Sequence, residues 1–205
     1  MKVVIVGVGT TAMIVADIII ESHNFKLAGF VGTAKEEKNL RRSKVYHDAP
    51  FLGDHSILSS LKNEDIVGFI AAVGDNQIRE KLFYKGTQAG LIPVNAVSSK
   101  ANINPDVSLG KGAVISPGAV LSHGVSLGNN IILDPSVTID VNCSIGDHCY
   151  MYSGTLICGG CVIEKNVTLE AGVIVEPNRK IGKNNHISAG TVVRKDIKGL
   201  YRKEA

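Results

Sequence analysis

The sequence lacks the features that mark several classes of protein. It has no cluster of basic residues, and the formal net charge of its 205 residues is only +3. Nucleic acid is therefore not an expected partner. Its six histidines are scattered, and the Cys158-x-x-Cys161 pair has no second pair or histidine at zinc-finger spacing. We therefore expect no metal site.

A long hydrophobic run is missing as well. The nearest approach, residues 3–20, is interrupted by two glycines, two threonines and Asp17. A buried strand, a turn and a helix explain all of these residues, whereas a membrane span or a targeting signal does not. We therefore expect no membrane partner.

A six-residue repeat fills the second half of the chain. Every sixth residue from Ile103 to Val193 is Ile, Leu, Val or Met, over sixteen positions without insertion. Three residues after each of these, Gly and Asn dominate, which indicates a corner with positive φ. The next residue is mostly small. A period of six predicts a β-helix, and the order large, turn, small resembles the hexapeptide repeat of left-handed parallel β-helices, which implies the handedness.

The four cysteines favour a reducing compartment, so a cytoplasmic protein is expected. Cys143, Cys149 and Cys161 fall on the small position of their hexads, where they act as core residues. Cys143 and Cys161 are one full coil of eighteen residues apart and should stack about 4.8 Å apart at Cα. A disulfide or metal site is the alternative.

The first 95 residues predict a small Rossmann-like α/β domain, followed by the β-helix over residues 96–205. Alternating strands and helices indicate a parallel sheet of about four strands. Residues 33–50 are polar and predict a loop. Strands are expected at 2–6, 25–31, 66–73 and 91–94. Helices are expected from the end of the Gly7–Ala12 turn to Ile20, at 55–62 and at 76–89.

A glycine-rich turn, Gly7-x-Gly9-x-x-Ala12, follows the first strand. Small residues let backbone N–H groups and a helix N-terminus approach a phosphate. A dinucleotide site usually has an acidic residue about twenty positions further along the chain. Here the second strand ends at Val31-Gly32-Thr33, which contains no acidic residue. Three interpretations of this turn therefore remain: it binds a nucleotide diphosphate, it binds a dinucleotide, or it is purely structural.

Two further motifs carry a family resemblance. They are Val73-Gly74-Asp75-Asn76-x-x-Arg79 and Ala189-Gly190-Thr191-Val192-Val193-x-Lys195-Asp196. With the glycine-rich turn and the β-helix, nearly the whole chain resembles the bacterial sugar O- and N-acetyltransferases. These include sialic-acid O-acetyltransferases and UDP-4-amino-sugar N-acetyltransferases. The resemblance implies a homotrimer, acetyl-CoA in a groove between neighbouring helices, a nucleotide sugar on the N-terminal domain and a histidine that takes the acceptor's proton.

The resemblance implies two sets of functional residues, each placed by matching this sequence to the family's motifs. The coenzyme set is Tyr150, Gly159 and Gly190, and Tyr150 stands where the family commonly has histidine. The family often has Gly-His at Thr10-Thr11 and acidic residues at Gly32-Thr33, and its usual Gly-x-Pro-Ala-Lys terminus is absent here. The nucleotide-sugar set is Gly7, Gly9, Thr10, Thr11, Gly74, Asp75, Asn76 and Arg79.

The catalytic segment departs most from the family. Where the family reads Val-Asp-His-Asp-Cys-x-Ile-Gly, this chain reads Ile139-Asp140-Val141-Asn142-Cys143-Ser144-Ile145-Gly146. Valine cannot accept a proton, so another base is needed. His123 precedes Val141 by one coil of eighteen residues, and we hypothesise that it is the general base. An exposed corner residue is the alternative.

Two carboxylates could also line this groove. Asp134 and Asp140 each follow a core position. A carboxylate is a poor base unless burial raises its pKa, so we expect both side chains to be solvated, with a place in the groove as the alternative. The leading prediction is an acetyl-CoA-dependent acetyltransferase that modifies a nucleotide-linked sugar in surface-glycan biosynthesis, with His123, Asp140 and Asn142 as catalytic candidates. A catalytically impaired regulatory or assembly subunit and a purely structural trimer are the alternatives.

Overall fold

The structure is a computed structural model that describes residues 1–33, 35, 36 and 49–200. Contacts divide the chain into two compact units, Met1–Ser99 and Lys100–Ala205. The boundary predicted from sequence lies after residue 95. Most of the predicted loop at 33–50, including His47, lies outside the described residues. No helix in the described part of the chain is both long and apolar enough to cross a membrane.

The first unit is built on a five-stranded parallel sheet with the order β3-β2-β1-β4-β5. Its central strand β1 is apolar, and residues Val3 to Val6 are completely buried, as expected for a parallel strand covered on both faces. The elements are β1 (Lys2–Val6), α1 (Thr10–Ser22), β2 (Lys26–Val31), β3 (Phe51–Gly53), two 3-10 helices (His55–Ser59 and Leu61–Glu64), β4 (Ile66–Ala71), α2 (Asn76–Gln88), β5 (Ile92–Pro93) and the short β6 (Ala96–Val97).

The prediction of about four strands was too low by one. The strand that was missed, β3, has three half-buried residues and pairs with β2 only through Phe30–Phe51 and Val31–Gly53. An edge strand this short carries no readable alternation of apolar and polar residues. The other strands and both long helices agree with the prediction.

The second unit is the predicted parallel β-helix. Its sixteen two-residue strands form three flat faces, and each strand pairs in parallel with the strand eighteen residues away, as in Leu121–Ile139 and Ile145–Ile163. Face 1 consists of β7 (Asn102–Ile103), β10 (Val120–Leu121), β13 (Thr138–Ile139), β16 (Leu156–Ile157), β19 (Ile174–Val175) and β22 (Val192–Val193). Face 2 consists of β8 (Ser108–Leu109), β11 (Ser126–Leu127), β14 (Ser144–Ile145), β17 (Val162–Ile163) and β20 (Lys180–Ile181). Face 3 includes β9 (Val114–Ile115), β12 (Ile132–Leu133), β15 (Tyr150–Met151), β18 (Thr168–Leu169) and β21 (His186–Ile187).

The repeat positions have the predicted roles. From Ile115 to Val193 every one of the sixth-residue positions is buried and fills the interior. The turn positions from Gly112 to Gly190 all have positive φ, between 56° and 73°. This includes Ser136 and His148, which are neither Gly nor Asn. The repeat therefore fixes both the core and the corners.

The cysteines are free thiols. Cys143, Cys149 and Cys161 are buried in the interior, and all four cysteines are reduced. Burial raises the pKa of Cys143 to about 11, so its thiol is neutral at physiological pH. These cysteines act as small core residues.

Candidate functional site

The glycine-rich turn and the Gly74–Asn76 turn lie side by side in the first unit. They follow β1 and β4, which are neighbours at the point where the strand order reverses. Ligands of open parallel sheets bind outside the carboxyl ends of the strands at such a point. A Cβ at Gly7 (φ 128°) would collide with the Ala72 carbonyl. Glycine at this position therefore allows the two turns to approach each other.

The N-terminus of α1 is open. Gly9 occupies the N-cap position of this helix, and no described side chain accepts a hydrogen bond from the first amides there. A Cβ built at Gly9 would meet nothing within 4 Å. Thr10 is exposed and Thr11 is buried. A helix N-terminus with uncapped amides and open space in front of it suits a phosphate group.

The second turn is held together by its own side chains. The Asp75 carboxylate caps α2 by accepting from the amides of Gln77 and Ile78, both at 2.9 Å. Arg79 is completely buried. Its guanidinium donates to the carbonyl oxygens of Val73 (2.9 Å) and Gly74 (3.3 Å) and to Asn76 Oδ1 (2.7 Å). Asp75, Asn76 and Arg79 therefore shape the turn from within.

An acidic residue does reach the end of β2, although none directly follows the strand in sequence. The amide of Thr33 donates to Glu36 Oε2 at 2.6 Å. A Cβ at Gly32 would lie 3.2 Å from this oxygen and 3.2 Å from Val8 of the glycine-rich turn. A carboxylate at this position can accept from a ribose hydroxyl. Sequence reasoning missed Glu36 because it was sought directly after the strand.

The predicted catalytic residues lie together at one corner of the β-helix. We call the turns that join face 1 to face 2 the His123 corner, and they are residues 104–107, 122–125, 140–143, 158–161 and 176–179. The Asn142 amide donates to the His123 carbonyl at 2.9 Å, which confirms that His123 and Val141 occupy successive coils. Asp140 Oδ1 accepts from the Val141 amide at 2.8 Å. A Cβ at Gly159 would lie 3.2 Å from Val141 Cγ2.

His123 has a carboxylate partner that the sequence analysis did not identify. His123 Nδ1 lies 2.8 Å from Asp106 Oδ2, and this oxygen also accepts from the Gly124 amide at 2.8 Å. The His123 side chain is 71% exposed. A carboxylate on one ring nitrogen orients the imidazole and leaves the other nitrogen directed outward, as in the base of a catalytic triad.

A second corner carries a buried acid. We call the turns that join face 3 to face 1 the Asp134 corner, and they are residues 116–119, 134–137, 152–155, 170–173 and 188–191. Asp134 is only 7% exposed, so its expected solvated position was wrong. The Tyr150 hydroxyl donates to its two oxygens at 3.2 and 3.1 Å. Burial raises the pKa of the Asp134 carboxyl, and the Tyr150 hydrogen bond partly offsets this.

The residues expected on the coenzyme side divide between the two corners. Gly159 lies at the His123 corner, whereas Tyr150 and Gly190 lie on or beside face 3, near the Asp134 corner. Tyr150 stacks on Tyr152 with ring centroids 4.1 Å apart, and a Cβ at Gly190 would meet nothing within 4 Å. Within one chain, face 1 separates the two corners.

The other two histidines of the β-helix, His148 and His186, each have a side-chain partner. His148 is buried at a turn position with φ 59° and its Nδ1 lies 2.8 Å from Asn130 Nδ2. His186 is 60% exposed and its Nε2 lies 2.7 Å from Glu170 Oε1. Among the residues that the structure describes, no group of three or more possible metal ligands occurs.

Two families of known proteins match the chain by sequence. The PglD N-terminal domain family matches residues 2–85. The bacterial transferase hexapeptide family, with six repeats, matches residues 160–195. No curated protein matches the chain.

Solved structures match both units. PerB from Caulobacter crescentus, in complex with CoA and GDP-perosamine, is 26% identical with a TM-score of 0.90, and the match covers 98% of this chain and 92% of that one. Two variants of the Caulobacter crescentus perosamine N-acetyltransferase, with one histidine replaced by asparagine or alanine, also contain CoA and GDP-perosamine. Each is 27% identical with a TM-score of 0.89, and the match covers 97% of this chain and 91% of theirs.

A more distant structure shares the fold. The acetyltransferase domain of PglB from Neisseria gonorrhoeae, in complex with acetyl coenzyme A, is 22% identical with a TM-score of 0.86. The match covers 96% of this chain and 92% of that domain.

Proposed function

Because the chain belongs to the sugar acetyltransferases with hexapeptide repeats, we propose that it transfers an acetyl group from acetyl-CoA to a nucleotide-linked sugar. The similar Caulobacter crescentus enzyme is an N-acetyltransferase whose structure holds CoA and GDP-perosamine. A nucleotide-linked amino sugar is therefore the first acceptor to test. We place the reaction in surface-glycan biosynthesis and the protein in the cytoplasm, where its free cysteines stay reduced.

The first unit would hold the nucleotide part of the acceptor. The uncapped amides of α1 and the open space at Gly9 suit its diphosphate, and the Glu36 carboxylate suits its ribose. Asp75, Asn76 and Arg79 keep the second turn in shape beside it. Thr10 and Thr11 stand at the first turn of α1, where their hydroxyls can add hydrogen bonds to a phosphate.

His123 would replace the histidine that this chain lacks at Val141. His123 takes a proton from the acceptor as its nitrogen or oxygen attacks the thioester carbon. The C–S bond then breaks, and His123 returns the proton to the coenzyme's sulfur. Asp106 orients the ring, while Asp140 and Asn142 line the same corner.

A homotrimer would complete the groove. The outward side chains of face 1 include the half-buried Val120, Leu156 and Val192 and the 37% exposed Ile174. An apolar column of this kind suits packing against a second copy of the chain. Acetyl-CoA would then lie between neighbouring copies, with Gly159, Tyr150 and Gly190 on its two sides.

The observation that carries this function is the His123–Asp106 pair, one coil from the position of the missing base. The test is calorimetric titration with acetyl-CoA, followed by thiol release with a panel of GDP-, UDP- and CMP-linked sugars. Binding with acceptor-dependent thiol release supports the proposal. Binding of both ligands without release would favour a catalytically impaired subunit, and no binding of acetyl-CoA would contradict an acetyltransferase.

A further inference from the structure

The Asp134 corner contains a carboxyl group that is buried in the structure. Among the described residues, Asp134 is the only buried carboxylate. Its two oxygens accept from the Tyr150 hydroxyl at 3.1 and 3.2 Å, and the Tyr150 ring is itself buried and stacked on Tyr152. Burying a carboxylate costs free energy unless it is fully compensated, and one tyrosine hydroxyl compensates it only in part.

A second polar group at this corner has no partner. The register of face 3 places Ser116 beside Asp134, one coil earlier, because the Ser116 amide donates to the Leu133 carbonyl at 3.0 Å. The Ser116 hydroxyl is completely buried and makes no hydrogen bond. An unpaired buried hydroxyl costs about 1–3 kcal/mol. Both groups reduce stability, and such groups cluster at functional sites.

The two corners can meet only between copies of the chain. In a cyclic trimer every interface is heterologous, so different surfaces of neighbouring copies face each other. The His123 corner of one copy can therefore face the Asp134 corner of the next. This step rests on the trimeric acetyltransferase proposed above.

We propose that Asp134, held by Tyr150, is a second proton acceptor in each active site and that it comes from the copy next to the one that supplies His123. An amine acceptor enters as an ammonium ion and must lose two protons during transfer. Its first proton passes to the Asp134 carboxylate, which frees the nitrogen lone pair to attack the thioester carbon. The second leaves the nitrogen of the adduct for His123, which passes it to the departing sulfur, and Asp134 releases its proton to water.

The pairing between copies can be tested by mixing two inactive variants. His123→Ala and Asp134→Asn are each expected to lower kcat by about 100-fold or more. Refolded together at equal amounts, they restore an intact site wherever an Asp134→Asn copy supplies His123 and a His123→Ala copy supplies Asp134. Random assembly gives such an interface in about a quarter of cases, so about a quarter of wild-type turnover is expected.

Several outcomes overturn the inference. Full kcat in Asp134→Asn, or no recovery in the mixture, contradicts it while wild-type turnover still supports the acetyltransferase. Absence of thiol release in the wild-type protein would remove both proposals. If Asp134→Asn does not fold, as judged by circular dichroism and acetyl-CoA titration, Asp134→Ala takes its place in the mixture.

A pH profile separates a proton acceptor from a structural residue. Tyr150 and Tyr152 are the described titratable side chains next to Asp134 on the neighbouring coils. Without the carboxylate, the acceptor must arrive as the free amine, so kcat/KM of Asp134→Asn should keep rising up to the ammonium pKa of the acceptor. A profile parallel to that of the wild type at all pH values would contradict the proposed role.

Discussion

Restoring a histidine at position 141 should rescue the loss of His123. We expect His123→Ala to lower kcat by about 10²- to 10⁴-fold, the usual contribution of a general base, which corresponds to about 3–5 kcal/mol of barrier. The double variant His123→Ala/Val141→His should recover most of this loss. The two positions share one corner on successive coils, and Gly159 leaves the space beside residue 141 free of a side chain.

The substitution at Val141 should be tolerated by the fold. Val141 is 41% exposed, so replacing it by histidine removes only part of the contribution of a buried valine and should cost about 1 kcal/mol or less. The assay is acceptor-dependent thiol release, with a thermal unfolding scan of each variant. His186→Ala is the matched control, since His186 is similarly exposed and also pairs with a carboxylate, at 2.7 Å.

Two results would refute this reasoning. If His123→Ala keeps wild-type kcat, His123 is not the base. If both His123→Ala and the double variant remain inactive while Val141→His alone has normal activity, the two positions do not reach the same acceptor atom.

Three further predictions follow from individual contacts. Asp106→Asn should lower kcat roughly tenfold or more with an unchanged dissociation constant for acetyl-CoA, because the ring of His123 loses its orienting carboxylate; steady-state kinetics and calorimetry measure the two. Arg79→Met should lower the unfolding free energy of the first unit by about 1–3 kcal/mol or more, since the buried carbonyl oxygens that accept from its guanidinium lose their donor, and denaturant unfolding checks this. Asp134→Asn should stabilise the protein near pH 8. Burial raises the pKa of the Asp134 carboxyl, so the folded state binds this proton more tightly than the unfolded state does. The free energy of unfolding of the wild type therefore falls as the pH rises through the folded-state pKa. Thermal unfolding from pH 4 to pH 8 should show the variant's advantage only at the higher pH values.

The β-helix could be predicted in detail because its sequence period is its structural period. Positions eighteen residues apart occupy neighbouring coils, so the alignment of His123 with Val141 followed from subtraction. The His123–Asp106 pair could have been found in the same way. Asp106 stands at a turn position where Gly and Asn dominate, and this departure from the pattern was the available signal.

Burial on the outside of the helix could not be predicted. The period separates inward from outward positions, but what covers an outward side chain depends on the tertiary structure. Asp134 follows an inward residue and was expected in solvent, whereas the structure buries it against Tyr150. Arg79 was assigned to the ligand from a motif, whereas in the structure its guanidinium donates to the carbonyl oxygens of the turn.

The most direct test of the account is the kcat of thiol release for the wild-type protein and for His123→Ala, measured with the best acceptor from the sugar-nucleotide panel. We predict turnover by the wild type and a loss of about 100-fold or more in the variant, with acetyl-CoA binding unchanged. Equal turnover by the two proteins would contradict the assignment of the base.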